Sequence, residues 1–477
     1  MLQPVNRLPP EILSRIVRRV LGKSNHDARP IFTLTHVCRY WRESIVSAPE
    51  NWTLISDTCS EDLVALILER AKAAPLVISL SMDRAIRLPR LPEIIIPHFQ
   101  NVVSPTADSI PTFGEFTETF PSFPRSLSNL RSLTLHANDG EGWDLSIDPF
   151  EPLPRTLRYL SLINIHSHPL FLRLGTLTEL ILTIPRFRLH LDTLLDFFEA
   201  NAPLESVELR IKFVEPSLRN SQRRAAIRNR LQRLYLHSWD PMDARALIAN
   251  IPLQKGACLG IYFGDAGLKE ILSGIPTTHL LDLVSPTSME YEPDAGYIRM
   301  EGPNGIFSFR GPRLRVEPFT ELMDCPLISL ANVREFHMTT FDYVMHPLSH
   351  LPAIEILIIQ SYINVSRTLS ALLSDPTSSP SLETIAFLNC DLSEDFMKEL
   401  TQFASDRENT STSAWLHRVV IVDWEGRFPS AGSIRRLRGC VRIVDVRIGN
   451  RAFPIDSDIK RYLADRRAAF RAFSHIC

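Results

Sequence analysis

A short leucine-rich motif repeats along about two thirds of this 477-residue chain and constrains its fold more than any other feature. The motif is L-x-x-L-x-L, in which valine, isoleucine, phenylalanine or methionine can stand for leucine. Its ten copies begin at Leu130, Leu157, Leu177, Leu204, Leu231, Val333, Ile354, Leu382, Leu416 and Val441. Neighbouring copies start about 20 to 34 residues apart, except across one gap. A unit repeated at this spacing predicts a solenoid rather than several separate cores.

The segments between these copies carry apolar residues at helical spacing, for example Leu191, Leu194 and Leu195. Strands that alternate with helices predict an α/β fold. The copy at 382–392 also matches the longer pattern L-x-x-L-x-L-x-x-C-x-L, so the repeat resembles that of leucine-rich-repeat proteins. We therefore expect an irregular leucine-rich-repeat solenoid over 126–450. It would be a horseshoe with parallel strands on the concave face and helices outside.

The single gap in the repeat, residues 285–330, predicts an insertion. Tyr297–Glu301 and Ile306–Phe309 flank Asn304-Gly305, a pair that is typical of a tight hairpin turn. A weaker copy of the motif precedes the gap at Leu259. The extra hairpin could be functional or could complete an irregular repeat, and the sequence leaves both open.

Residues that alternate with the buried leucines should line the concave face and recognise a partner. This set comprises Tyr159, Glu179, Glu208, Arg233, Tyr235, Glu335, His337, Arg418 and Asp445. Mixed charge with tyrosine favours protein recognition. Ile356 and Ile358 are apolar on the same side. They either form part of a binding patch or are covered by the 285–330 insertion.

The first 55 residues predict short helices with more apolar surface than one small core needs. Six apolar residues of the first helix spread over about half of its circumference, whereas docking on one core requires a stripe of roughly 100°. They are Ile12, Leu13, Ile16, Val17, Val20 and Leu21. This periodicity alone favours docking on the rest of the chain and docking on a partner equally.

Three motifs in this region resemble the F-box family. Leu8–Leu13 reads LPPEIL, Val37–Arg42 reads VCRYWR, and Pro49–Trp52 ends the segment. All three occur in the family's order within about residues 4–55. The resemblance implies a three-helix module that binds the Skp-type adaptor of a Skp–cullin–F-box ubiquitin ligase. By the same resemblance, adaptor contacts fall on Leu8, Pro9, Ile12, Leu13, Ile16, Val37, Cys38, Trp41 and Trp52.

Two further segments complete the predicted organisation. Residues 56–125 predict a connector with a helix over Glu61–Ala74, a strand over Leu76–Met82 and an irregular loop over Thr106–Thr119. Residues 451–477 predict an amphipathic helix that caps the solenoid.

Composition excludes several other functions. A net charge of −2 argues against a dedicated nucleic-acid binder, and no apolar run approaches the length needed to span a membrane. The seven cysteines form no CxxC pair, and no zinc, phosphate-loop or nucleophile signature is present, so we expect no metal, no cofactor and no catalytic residue. The chain does not begin like a secretory signal, which favours a cytoplasmic or nuclear protein.

These observations predict a non-enzymatic substrate receptor. The N-terminal module would engage the Skp-type adaptor and through it a cullin–RING ligase, while the repeat domain would hold an unknown target protein. The alternative is a leucine-rich-repeat scaffold that acts without a cullin ligase. Two arginine clusters, Arg219–Arg233 and Arg435–Arg451, are either solvated surfaces or sites for an acidic or phosphorylated ligand.

Overall fold

The structure is a computed structural model whose chain divides into two compact units. Unit 1 comprises Met1–Pro286 and Ala295–Ser329, and unit 2 comprises Thr287–Asp294 and Leu330–Cys477. The residues that the structure describes are 8–23, 29–88, 90–120, 128–138, 143–144, 154–166, 175–215, 231–238, 241–251, 253–263, 286–292, 297–303, 305–310, 330–339, 351–360, 379–390, 392–409, 414–423 and 429–448. The predicted capping helix over 451–477 lies outside them.

Eleven α-helices fall within the described residues. Unit 1 contains α1 (Pro10–Lys23), α2 (Pro30–Thr35), α3 (Arg39–Ser47), α4 (Glu61–Ala71), α5 (Met82–Arg87), α6 (Arg90–Ile95), α7 (Phe113–Thr119), α8 (Leu191–Ala200) and α9 (Pro241–Asn250). Unit 2 contains α10 (Glu394–Asn409) and α11 (Ala431–Cys440). None of these helices is long and apolar enough to cross a membrane.

Unit 1 is built on a mostly parallel sheet. Its strands are β1 (Leu54–Ser56), β2 (Leu76–Ser81), β3 (Val102–Ile110), β4 (Ser132–Ala137), β6 (Tyr159–Ile163), β8 (Glu179–His190), β9 (Ser206–Glu215), β10 (Arg233–Ser238), β11 (Ala257–Phe263), β13 (Tyr297–Gly302) and β14 (Gly305–Arg310). They pair in that order, except that β14 joins β11 in parallel and β13 joins β14 in antiparallel fashion. β5 (Trp143–Asp144) and β7 (Ile165–His166) form a separate parallel pair.

Unit 2 contains a parallel sheet of its own. Its strands are β12 (Ser288–Glu292), β15 (Glu335–Thr339), β16 (Ile356–Gln360), β17 (Thr384–Leu388), β18 (Arg418–Asp423) and β19 (Ile443–Ile448), and they pair in that order. α10 packs on the apolar side of this sheet, because Phe396 of the helix meets Phe387 of β17 edge to face with ring centroids 5.4 Å apart. The two units thus share one architecture, a leucine-rich-repeat-like mixture of parallel strands and helices.

Each of the ten motif copies forms a strand, so the periodicity prediction is confirmed. The last two apolar residues of each copy occupy matching positions on neighbouring strands: Leu160 is paired with Leu133 and with Leu180, for example. The first apolar residue precedes its strand and is also buried, as Leu130 and Leu157 show. Consecutive repeats therefore bury one continuous apolar face, which stabilises each repeat only beside its neighbours.

In most repeats, one carbonyl group accepts two hydrogen bonds from the next repeat. In unit 1 the carbonyl of Arg131 accepts from the amides of Arg158 and Tyr159, at 2.8 and 3.0 Å. In unit 2 the carbonyl of Glu355 accepts from Glu383 and Thr384, both at 2.9 Å. This carbonyl belongs to the residue after the first apolar position of the motif. These bonds satisfy backbone N–H groups where the chain enters each strand, and they fix the register between repeats.

The loop predicted over Thr106–Thr119 is wrong. The structure has strand β3 and helix α7 there. The alternation of buried and exposed residues is irregular in β3 for two reasons. Pro105, which pairs with Ile78, has no N–H to donate. Ser109 has a positive φ of 55° where the pairing with β4 shifts register. The neighbouring helix is present as α4, which ends at Ala71 rather than Ala74, and the neighbouring strand is present as β2, although Met82 begins α5 instead of ending that strand.

The gap in the repeat holds strands as well as the predicted hairpin. β13 and β14 form that antiparallel hairpin across Gly302 and Gly305. β14 also continues the parallel ladder, because its Phe307 and Phe309 align with Leu259 and Ile261 of β11. Phe307 and Phe309 thus fill the last two apolar positions of a repeat, but Asn304 stands where its first apolar residue would be, and this departure concealed the repeat in the sequence.

Candidate interaction surfaces

The N-terminal helices bring two predicted adaptor-binding motifs side by side. The Tyr40 hydroxyl, at the start of α3, donates to the carbonyl of Leu8 just before α1 at 2.6 Å. The Cys38 thiol accepts from the Trp41 amide at 3.5 Å and so caps α3. The start of the LPPEIL motif therefore lies against the start of the VCRYWR motif.

Trp52 connects these helices to the next one. Its indole N–H donates to the carbonyl of Ile45 at 3.0 Å, and Phe32 meets its ring edge to face at 5.9 Å. From α4, the Arg70 guanidinium lies 4.3 Å from the centre of the same ring. Trp52 is buried, so it anchors α2 and α3 to α4 within unit 1.

The structure divides the nine predicted adaptor contacts by burial. Leu13, Trp41 and Trp52 are buried inside unit 1, which gives them a packing role in the free chain. Ile12 and Val37 are 38% and 51% exposed, unusual values for large aliphatic side chains. Pro9 is also exposed, and Leu8, Ile16 and Cys38 are half-buried. We call Leu8, Pro9, Ile12, Ile16, Val37 and Cys38 the N-terminal apolar surface.

Five predicted recognition residues lie on one face of the unit 1 sheet, opposite the leucines. Tyr159, Glu179 and Arg233 lie in one row across β6, β8 and β10, and Glu208 and Tyr235 lie in the next. The Arg233 guanidinium pairs with the Glu179 carboxylate at 3.1 Å across the intervening strand β9. We call this group the unit 1 patch.

Glu208 is the electrostatic centre of the unit 1 patch. Its carboxylate lies 3.1 Å from Arg210 Nε on its own strand and 3.3 Å from His237 Nε2 on β10. Burial alone would raise the pKa of Glu208, but the hydrogen bond from His237 and the charges of His237 and Arg210 outweigh burial and lower it. Glu208 is therefore held as a carboxylate whose charge is locally compensated.

Aromatic rings flank this centre. His237 stacks on Tyr262 of β11 with ring centroids 4.3 Å apart and planes 15° apart, and Tyr235 lies 6.4 Å from Tyr262. Tyr235 can lie flat on the sheet because its partner on β11 is Gly260. A Cβ atom at position 260 would come within 2.4 Å of Tyr235 Cδ1.

Burial keeps the phenol and thiol groups in and beside this patch protonated. It raises the pKa of the Tyr235 phenol and that of the Cys258 thiol, whose sulfur lies 3.5 Å from the Tyr235 hydroxyl. Burial also raises the pKa of Tyr159. The three groups stay protonated near neutral pH and offer a polar, aromatic contact surface rather than a nucleophile.

The other four predicted recognition residues lie in unit 2. His337 is only 1% exposed and lies 3.6 Å from the Glu290 carboxylate of β12. Arg418 lies 3.5 Å from Asp445, and hydrogen bonds from Arg447 and then Arg418 lower the pKa of Asp445. Glu335 is half-buried. His337 is therefore not accessible, whereas the other three reach the surface.

Ile358 is buried in an apolar cluster on the same side of the unit 2 sheet, and Ile356 packs against that cluster. The other buried members are Ala386, Leu388 and Val420, and Val422 packs against the cluster as Ile356 does. Coverage by the 285–330 insertion stays a prediction.

Several residues that surround the unit 1 patch were not predicted from the sequence. Arg210 and His237 follow predicted patch residues by two positions, so continued alternation along β9 and β10 would have found them. Gly260 and Tyr262 alternate with the weaker copy at Leu259 and Ile261. Within the described residues, no cluster of His, Cys, Asp and Glu is arranged to hold a metal ion.

Comparison with known proteins finds similarity among solved structures. No protein-family model matches the sequence, and no curated protein matches it. Among solved structures, the chain is similar to the crystal structure of the leucine-rich repeat-containing protein LegL7 from Legionella pneumophila. The two are 15% identical, the likeness covers 73% of this chain and 93% of that one, and the TM-score is 0.31. The leucine-rich-repeat character of this chain rests on its own repeats and parallel ladders.

Proposed function

We propose that this protein is a non-catalytic substrate receptor of a Skp–cullin–F-box type ubiquitin ligase. The N-terminal apolar surface would bind the Skp-type adaptor, and the unit 1 patch would bind the target protein. Holding a target near a ubiquitin-loaded enzyme raises the effective concentration of its lysines, so the receptor itself needs no catalytic group.

The observation that carries this proposal is the exposure of Ile12 and Val37. Both belong to the motifs that resemble an F-box, and the hydrogen bond between Tyr40 and Leu8 brings those motifs together. Exposed aliphatic side chains of this kind are typical of surfaces that bind another protein. Internal packing already uses Leu13, Trp41 and Trp52, which leaves the exposed pair without a role inside the described part of unit 1.

Binding of a purified Skp-type adaptor to the full-length protein tests the proposal. An Ile12→Asp/Val37→Asp double variant should weaken binding by about 100-fold or more, because each charge would be desolvated in an apolar interface. Ile443→Asp is the matched control, since Ile443 is a similarly exposed aliphatic residue of unit 2. The control should bind like the wild type. Equal binding by the double variant and the wild type would refute the proposed interface.

The unit 1 patch is tested separately from the adaptor surface. Proteins captured by the Ile12→Asp/Val37→Asp variant should accumulate, because they are held but not modified. Adding Arg233→Glu and Tyr235→Ala to this variant should release the captured proteins. The same two substitutions made in the wild type should leave adaptor binding unchanged. If the adaptor binds but no cullin joins the complex, the alternative of a leucine-rich-repeat scaffold without a ligase is favoured.

A further inference from the structure

A basic stripe runs along the exposed side of α1, on the helix that carries the first predicted adaptor contacts. Arg15 and Arg19 follow Ile12 by three and seven positions, so the 3.6-residue period of a helix places all three on one face. Ile16, four residues after Ile12, lies at the edge of that face. Ile12, Arg15 and Arg19 are exposed, and Ile16 is half-buried. We call these four residues the α1 stripe.

The opposite side of α1 holds the helix in unit 1. Leu13, Val17 and Leu21 recur every four residues there, and all three are buried. Their burial fixes the rotation of α1 about its own axis, because turning the helix would expose these side chains to water. The α1 stripe is therefore held on the surface of unit 1.

The two arginines of the α1 stripe are not used inside the chain. Within the residues that the structure describes, neither Arg15 nor Arg19 makes an ion pair or a side-chain hydrogen bond. Arg18 differs, because its Nε donates to the carbonyl of Ser14 at 3.4 Å. Glu11 lies four residues before Arg15 but does not pair with it. Two guanidinium groups beside an exposed isoleucine are thus available to a partner.

Charge indicates what kind of partner fits. Residues 8–52 contain seven basic and four acidic residues, a net charge of +3, whereas the whole chain carries −2. A neutral or basic partner surface would leave the two arginines desolvated without an opposite charge, which is unfavourable. An anionic membrane fits less well than an acidic protein, because a helix that lies in a membrane buries a broad apolar face in the lipid. Among the leucine, isoleucine and valine residues of α1, only Ile12 is exposed.

We propose that the α1 stripe docks on an acidic part of the Skp-type adaptor, where carboxylates border an apolar hollow. Ile12 would enter the hollow, and the guanidinium groups of Arg15 and Arg19 would pair with the carboxylates. This inference rests on the proposed function and adds the chemistry of the partner surface. Neither arginine belongs to the three motifs that resemble the F-box family. Exposed charges at the border of an interface act mainly on the rate of association, so the arginines would steer the adaptor onto the apolar surface.

The test measures association and dissociation rates of a purified Skp-type adaptor with the full-length protein, from about 50 to about 500 mM salt. The association rate of the wild type should fall about tenfold over this range. Arg15→Gln/Arg19→Gln should associate about three- to tenfold more slowly at low salt and depend less on salt, while its dissociation rate changes by a smaller factor. Arg15→Lys/Arg19→Lys should associate like the wild type, because steering depends on charge and not on the planar fork.

A charge-matched control is the pair Arg131→Gln/Arg155→Gln, two exposed arginines elsewhere in unit 1. It should leave the association rate within about twofold of the wild type. Failure of the wild type to bind the adaptor would refute the proposed function and this inference together. An association rate that Arg15→Gln/Arg19→Gln leaves unchanged, in a wild type that does bind, would overturn this inference alone. An equal loss in the control, or tighter binding to phosphatidylserine vesicles than to the adaptor, would also overturn it.

Discussion

Arg407 donates two hydrogen bonds to a single carbonyl oxygen, that of Ala414, at 3.1 Å from Nε and 2.8 Å from Nη2. The same fully buried guanidinium reaches the carbonyls of Ser379, Pro380 and Leu382, which lie between 2.9 and 3.2 Å away. One side chain at the end of α10 therefore holds both the segment before β17 and the segment before β18. Burial lowers the pKa of Arg407 from its ordinary value.

Replacing Arg407 with methionine should destabilise the chain strongly. The methionine keeps much of the packing but leaves two buried and two partly buried carbonyl groups without these donors. We expect a loss of roughly 3–5 kcal/mol of unfolding free energy. Urea denaturation of the full chain measures it. Arg438→Met changes an exposed arginine and should alter stability by less than about 0.5 kcal/mol. A loss of under 1 kcal/mol for Arg407→Met, roughly the scale of a single neutral hydrogen bond, would contradict the role assigned to Arg407.

Gly260→Ala should destabilise unit 1 because the new methyl group collides with the Tyr235 ring. We expect a loss of about 1–3 kcal/mol, the usual effect of overpacking. In the Tyr235→Ala background the same change should be nearly neutral, so a double-mutant cycle isolates the contact. Gly439→Ala is the control, since position 439 lies in α11 with open space around its added Cβ. It should stabilise the protein slightly. An equal effect of Gly260→Ala in both backgrounds would show that the ring is not the obstacle.

Substitutions at Asn164 test a left-handed backbone conformation that occurs at the same position in two repeats. Asn164 and Asn389 have φ angles of 58° and 59°, each two residues beyond the last apolar position of its motif. The Asn164 amide nitrogen Nδ2 also donates to the carbonyl of Ala137 at 3.2 Å. Asn164→Ala should cost about 2–3 kcal/mol, since it combines backbone strain of roughly 1–2 kcal/mol with a lost hydrogen bond.

Asn164→Gly provides the comparison, because glycine tolerates the positive φ and loses only the side-chain bond. It should cost about 1 kcal/mol less than alanine, measured by thermal unfolding. If glycine is as damaging as alanine, backbone strain is not the reason for asparagine here.

Glu394 should make stability depend on acidity. It receives the Ser433 hydroxyl as a hydrogen-bond donor and the Ser430 amide at 3.0 Å, and these bonds lower its pKa to about 2. An unfolded glutamate titrates near ~4.3. The unfolded chain therefore binds the proton first, so the stabilisation is fully present above that value and disappears as pH falls toward 2.

The measurement is the unfolding free energy of the wild type and of Glu394→Gln between pH 6 and pH 2. The difference should be largest at the upper end and vanish near pH 2. Ser433→Ala should raise the pKa of Glu394 and shrink the same difference, because it removes the strongest hydrogen bond. A difference that stays constant with pH would contradict the assignment.

The sequence by itself determined the type of the repeated strands and of most helices. Alternation of buried leucines depends only on the two-residue period of a strand, so the ten motif copies were predicted from local pattern alone. The helix start at Ser60 is equally local, since the Ser60 hydroxyl accepts from the Leu63 amide three residues away. The motifs of the N-terminal helices were also visible, although which of their side chains are exposed was not.

Only the tertiary structure decided which residues share a surface. Leu13 and Ile12 are neighbours in one motif, but packing buries the first and leaves the second exposed. Phe307 takes the place of a repeat leucine only because β14 pairs with β11. Arg407 lies in a polar stretch of α10, where sequence predicts a solvated side chain. Its burial depends on carbonyl groups up to 28 residues away in the chain. Such long-range contacts follow from how repeats stack, which local periodicity does not encode.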